Sequence, residues 1–240
     1  MQKIKNFFAS WEFFLIILLA VVCAVFYYVD AARVAAGISR RPVFYFANVV
    51  RSMRPYFLYS FMTLGMMLIL AMGDIDISVG AIGTLSVVTL GVTYNNLAVL
   101  GGMNGPTALT LSLMACLAVG CVCGALNGFL CTRFKELFSM IITLATQLFF
   151  RGFSYLIIGG ETLTFKDKTF RSLSALNKLL DIGGVKVPVS LPVFLVFAII
   201  FFIWLHMTGN GRKIFAIGTN RSATYYSGVQ TDKIKFWCFV

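Results

Sequence analysis

Charge is scarce in this sequence. Of 240 residues, 12% are Asp, Glu, Lys or Arg, and His206 is the single histidine. Soluble domains carry about a quarter of their residues as charges. One histidine and nine acidic residues spread along the chain cannot assemble a hydrolytic triad or a metal centre in a soluble domain. The sequence has no GxxxxGK(S/T) run, which excludes nucleotide binding by a P-loop. Cysteines stand at 23, 116, 121, 123, 131 and 238 without C-x-x-C spacing, all within apolar runs. There they read as small buried hydrophobes rather than metal ligands or disulfide halves. His206, at a helix end, reads as an interfacial anchor.

What the chain has instead is apolar surface: 59% hydrophobic residues, 24 Phe and a mean hydropathy of +0.88. A water-soluble core of this length could not hide so much of it. The apolar runs are continuous rather than alternating, which selects membrane helices over a barrel. The expected fold is therefore all-α, a polytopic bundle of about six spans forming one transmembrane domain over 1–240. Charges and turns delimit the spans: 13–29, 56–72, 77–95, 107–131, 137–158 and 187–205. Between Ile77 and Thr132 there is no charged residue or histidine, and only the turn-rich Gly101–Pro106 divides that stretch in two. Another apolar run opens at Phe236 just before the chain stops, so the sequence is expected to be a truncated piece.

An uncleaved first helix after Lys3 and Lys5 would leave the N-terminus cytoplasmic. The loops 132–136 and 209–235 then lie inside, and 30–55 and 159–186 outside. Lys/Arg bias is a poor guide to orientation here. Nine cations fall inside (Lys3, Lys5, Arg133, Lys135, Arg212, Lys213, Arg221, Lys233, Lys235) and ten outside (Arg33, Arg40, Arg41, Arg51, Arg54, Lys166, Lys168, Arg171, Lys178, Lys186). The net charge of +11 fits basic loops beside anionic membrane lipid and points to no nucleic acid.

Four local features exceed a generic membrane helix. In Gly73-Asp74-Ile75-Asp76-Ile77-Ser78-Val79-Gly80, two carboxylates break a helix at membrane depth or edge, where acids are costly and usually partnered. Gly120, Gly124 and Gly128 at four-residue spacing make a flat helix face for close packing, with Asn127 able to hydrogen-bond across it. Arg151 lies inside the fifth span, either snorkelling to the interface or pairing with a buried acid. In the 209–235 segment, Asn220 is a fitting N-cap and Gly228 a fitting terminator for a two-turn helix carrying Arg221, Ala223, Tyr225 and Tyr226. So short a helix needs a surface to dock on.

Taken together these residues resemble the permease subunit of bacterial ABC importers of the ribose type, in the wider group carrying monosaccharides and branched-chain amino acids. Gly73–Gly80 is similar to that family's GGIDLSVG signature, and Gly124-Ala-Leu-Asn127-Gly128 to its GLLNG segment. Thr143-Leu-Ala-Thr146 with Arg151-Gly152 and Gly159-Gly160 resembles its TLGT…RG…GG stretch. Gly218-Thr-Asn-Arg-Ser-Ala223 with Ser227-Gly228-Val229 resembles its GGNxxAAxxSGI coupling segment. The chain departs from the pattern at Asp74, where a Gly is usual, at Glu136–Ser139, where a Pro-containing turn is usual, and at Thr219 and Thr224.

The resemblance implies a subunit in the bacterial plasma membrane, not an enzyme, with no cofactor of its own because ATP is bound by the partner. Implied partners are cytoplasmic ABC ATPase subunits, a second permease subunit and an extracytoplasmic solute-binding protein. Asp74, Asp76, Ser78, Asn127 and Arg151 are the expected translocation-pathway residues, and Gly218, Asn220, Arg221, Ala223, Tyr226 and Gly228 the ATPase-coupling residues. Asp76, matching the signature acid, is expected to matter more than Asp74. The solute is expected to be a monosaccharide, with nucleosides, amino acids or a furanone signal as alternatives. An intramembrane enzyme using Asp74 and Asp76 is the alternative from another class, and a secondary transporter a third.

Overall fold

The computed structural model describes residues 11–38, 44, 46–164, 178–182 and 185–240. The expectations attached to Lys3, Lys5, Arg40, Arg41, Lys166, Lys168 and Arg171 lie outside the described residues. Helices dominate: α1 Trp11–Ala35, α2 Phe46–Ser52, α3 Arg54–Ala71, α4 Val79–Tyr94, α5 Gly105–Arg133, α6 Ser139–Ile158, α7 Ser190–Met207, α8 Gly209–Thr219, α9 Arg221–Tyr226 and α10 Thr231–Phe239. A π-helical turn, Asn95–Leu100, extends α4, and two strands, β1 Leu179–Ile182 and β2 Val185–Pro188, precede α7. Apolar segments become helices because, without water, a backbone must satisfy its N–H and C=O groups within itself.

Among the described residues, five helices are long and apolar enough to cross a bilayer: Phe13–Ala35, Val79–Leu100, Gly105–Arg133, Ser139–Ile158 and Ser190–Met207. The run expected as a second span lies on α3, Arg54–Ala71, whose stretch Tyr59–Ala71 is an apolar helix among the described residues. The expected start of the last span at Val187 is corrected. Val187 pairs with Leu180 in an antiparallel hairpin, and α7 begins three residues later. The 209–235 segment, expected as a loop with one short helix, is three helices. Thr208 caps α8 by accepting from the Gly211 N–H at 3.3 Å.

The described chain divides into two units. In the first, α2 packs against β2 of the hairpin, and the Phe44 N–H donates to Asp30 of α1 at 2.7 Å. The second, residues 56–178 and 189–240, holds the bundle. Its surface and interior invert the soluble pattern. Ser78, Ser112, Asn127, Thr143 and Ser190 are fully buried, while Leu117, Val122, Leu148, Phe149 and Leu156 are exposed. Lipid tails are as apolar as leucine, so burying leucine gains nothing there, whereas small polar residues hydrogen-bond between helices. Three apolar clusters remain inside: Ile69, Cys131, Ile142 and Phe239; Met72, Leu205, Ile214 and Ile217; and Ala81, Leu85, Cys123 and Phe150.

Candidate functional site

The segments 72–78, 134–139 and 218–235 converge at one end of the bundle, and the side chains between them form a polar seam. Helix α3 ends in paired reverse bonds, Gly73 N–H to Leu70 C=O and Asp74 N–H to Ile69 C=O. That geometry needs a left-handed residue, which Gly73 supplies at φ +79°. The chain then runs without regular structure to α4, leaving its backbone donors to be satisfied by side chains. Ser78 donates through both N–H and Oγ to Asp76 Oδ1, each at 2.7 Å. The Ile77 N–H reaches Thr143 Oγ1 at 3.1 Å. Asn127 Nδ2 donates to Ser78 Oγ at 2.6 Å, and Asn127 Oδ1 meets no donor among the described residues. Asp76 is 4% exposed, and an acid just ahead of a helix N-terminus is favoured by the helix dipole.

Asp74 turns elsewhere. Its carboxylate accepts from Ser139 Oγ at 2.7 Å and pairs with Lys235 Nζ at 3.0 Å. Lys235 also donates to Ser139 Oγ at 2.8 Å and is only 4% exposed. The two acids thus serve different partners: Asp76 holds Ser78, while Asp74 holds Ser139 and Lys235.

The glycine face divides its contacts. A Cβ on Gly124 would fall inside contact distance of the Phe239 carbonyl oxygen, and one on Gly128 would lie 2.8 Å from that of Phe236, so α10 lies backbone-close on α5. Gly120 faces another neighbour, Ser86 Oγ at 3.4 Å.

Around α9 the expected cap is present: Asn220 Oδ1 accepts from the Ala223 N–H at 2.9 Å. Gly228, at φ +88°, ends the helix with the same reverse-bond pair as Gly73. Ala223, Tyr225 and Tyr226 point outward, Tyr226 at 86% exposure, while Thr224 is buried. Gly218 packs so tightly on the Ala71 carbonyl that no Cβ fits. Arg221 donates to Asp232 at 2.9 Å, and Lys135 pairs with the other oxygen of the same carboxylate. Burial pushes the Asp232 pKa up, but the bonds and charges of Lys135 and Arg221 outweigh it and hold the group below its ordinary value of 3.8. Arg151 joins none of this. It is exposed on α6.

Sequence reasoning missed Ser139, Thr143, Asp232 and the burial of Lys235. A signal for the last existed: Thr231, Lys235 and Phe239 recur at four-residue intervals and all are buried on α10. A lysine in the middle of a buried stripe requires an acid.

Residues 48–240 match the family described as branched-chain amino acid transport system / permease component. Autoinducer 2 import system permease proteins LsrD from Escherichia coli K12 and from Shigella flexneri are 28% identical to this chain over 166 residues, covering 69% of it and 47% of the relative. The chain therefore spans about half the length of the curated relatives it matches. No solved structure matches it.

Proposed function

Because this chain belongs to the branched-chain amino acid transport system permease family, a family of transporter membrane subunits rather than enzymes, we propose that it is the membrane subunit of a bacterial ABC importer. It would carry a small hydroxylated solute of monosaccharide size inward across the plasma membrane, its N-terminus in the cytoplasm. The role named for the relatives, autoinducer 2 import, favours a signalling solute as the second reading. Energy would come from separate ATPase subunits that bind ATP. A second permease subunit would complete the pathway, and an extracytoplasmic protein would deliver the solute. Asp76, Ser78 and Asn127 are the residues we assign to the pathway wall.

The observation that carries this reading is α9. It is a capped helix of six residues, too short to stand alone in water, and it turns Ala223, Tyr225 and Tyr226 outward beside Arg221 and Lys135. Tyrosine and arginine are frequent interface anchors. In the proposed cycle this helix seats in a cleft of the ATPase and carries its closure into the bundle as a rigid-body movement. ATP binding must then favour the outward-facing state, since coupling needs differential affinity between two states. The test is Ala223→Arg, which places an unpartnered charge at the contact. The permease should insert normally while the ATPase no longer co-purifies. Undiminished co-purification, or equal labelling of a cysteine at 223 by an impermeant thiol reagent added outside intact cells, would end this reading.

A further inference from the structure

Building on the importer reading, we propose that α10 is the lever joining the coupling helix to the Asp74–Ser78 break, with Lys235 as the positioning residue at its pivot. Nine residues carry three attachments. In the first turn Asp232 holds Arg221 of α9 and Lys135 of the 134–138 turn. One turn on, Lys235 holds Asp74 and Ser139. Beyond that, the Phe236 and Phe239 carbonyls lie against Gly128 and Gly124. A helix this short moves as a unit, because its hydrogen bonds bind each turn to the next.

Lys235 makes the second attachment obligatory. An ammonium 4% exposed cannot leave its carboxylate without standing unpaired in a medium that solvates it poorly. The break therefore follows α10 wherever α9 draws it. Asp76 lies two residues beyond Asp74 and carries the Ser78–Asn127 hydrogen bonds with it. The backbone contact of Gly218 with Ala71 joins the same segment to the end of α3, but by packing alone.

Cys131 supplies a native reporter. It is 1% exposed and shares its cluster with Phe239 of α10. Cys123, also buried, packs instead with Ala81, Leu85 and Phe150. The full-length permease in membrane vesicles is treated with isotope-coded N-ethylmaleimide, and both cysteines are quantified by peptide mapping. Lys235→Met frees α10 directly and should raise Cys131 labelling about tenfold by local opening. Asp232→Asn touches neither Lys235 nor Cys131, yet should raise it several-fold through the lever, and Asp232→Glu should restore protection. Cys123 should stay protected in all three. Wild-type labelling of Cys131 in Asp232→Asn would overturn the lever, and so would an equal rise at Cys123, which signals general loosening. This measurement needs no ATPase. Its failure leaves the importer reading standing, and failed capture of the ATPase by the unmodified permease overturns the importer reading without touching the lever.

Discussion

Removing the charge from Asp74 should cost the protein more stability than removing it from Asp76, although Asp76 is the acid that fits the signature pattern. Asp74→Asn leaves the Lys235 ammonium, 4% exposed, with a hydroxyl and an amide oxygen in place of a carboxylate at 3.0 Å. Stripping one partner from a buried pair costs about 3–5 kcal/mol. The Asp74 side chain is 19% exposed, which puts the expectation near the lower end, at about 3 kcal/mol. Chains of this size lose about 2–4 °C of melting temperature per kcal/mol, so the fall should be roughly 6–12 °C. Asp76→Asn keeps an oxygen that can still accept from the Ser78 N–H and Oγ, and loses only the charge assistance of those bonds, about 1 kcal/mol. The assay is thermal unfolding of the purified permease in detergent, with Asp74→Asn/Lys235→Met as the third variant. Removing both charges leaves neither one stranded, so the double variant should recover most of the loss. The reasoning is refuted if Asp76→Asn melts as low as Asp74→Asn, or if the double variant is no better than the single one.

Gly124→Ala should lower the melting temperature by several degrees, since overpacking costs about 1–3 kcal/mol and the obstacle is the Phe239 backbone. Gly120→Ala, facing only Ser86 Oγ at 3.4 Å, should be neutral or gain up to about 1 kcal/mol of helix propensity; the same melting curves compare the two. Asn220→Ala removes the α9 cap and should cost that helix about 1 kcal/mol, read as faster amide hydrogen exchange across 221–226, with Asn220→Asp unaffected. Asp232 has its folded pKa below the ordinary 3.8, so its contribution is complete above that value and is lost as pH falls through the depressed one. Wild type and Asp232→Asn should therefore differ in exchange protection of 221–232 at neutral pH and converge at acidic pH, modestly, because the carboxylate is 39% exposed.

The span pattern was legible because apolar runs and their interruptions are one-dimensional. Length, charge and the turn residues Gly101–Pro106 locate α4 through α6 to within a few residues. The α9 cap and terminator were legible for the same reason, since Asn220, Ala223 and Gly228 act across three to eight positions. The hairpin ahead of α7 was not, because Val185-Lys-Val187-Pro188 merges into the apolar run that follows. Nor was α8, whose glycines carry turn character until Thr208 caps them. The seam itself was half legible. Asp74 and Asp76 announced that partners were required, but Ser139 and Lys235 lie 65 and 161 residues from Asp74, beyond any local pattern.

Asp74 and Lys235 bear on one another for a reason that neither shows alone. A carboxylate added at a helix break beside membrane is a liability, and so is a lysine on the buried stripe of α10. Placed together with Ser139 they satisfy each other, and replacing both by neutral residues would leave the packing much as it is. The pair is therefore weak evidence of extra stability. Its consequence is geometric: α10 and the break can be displaced together but not apart. Asp232 is the contrasting case, half exposed and shared between two cations, so it can exchange partners as α9 moves. A firm attachment at Lys235 and a yielding one at Asp232 are what a short helix requires if movement of α9 is to reach the Asp76–Ser78–Asn127 hydrogen bonds without unfolding the segment between.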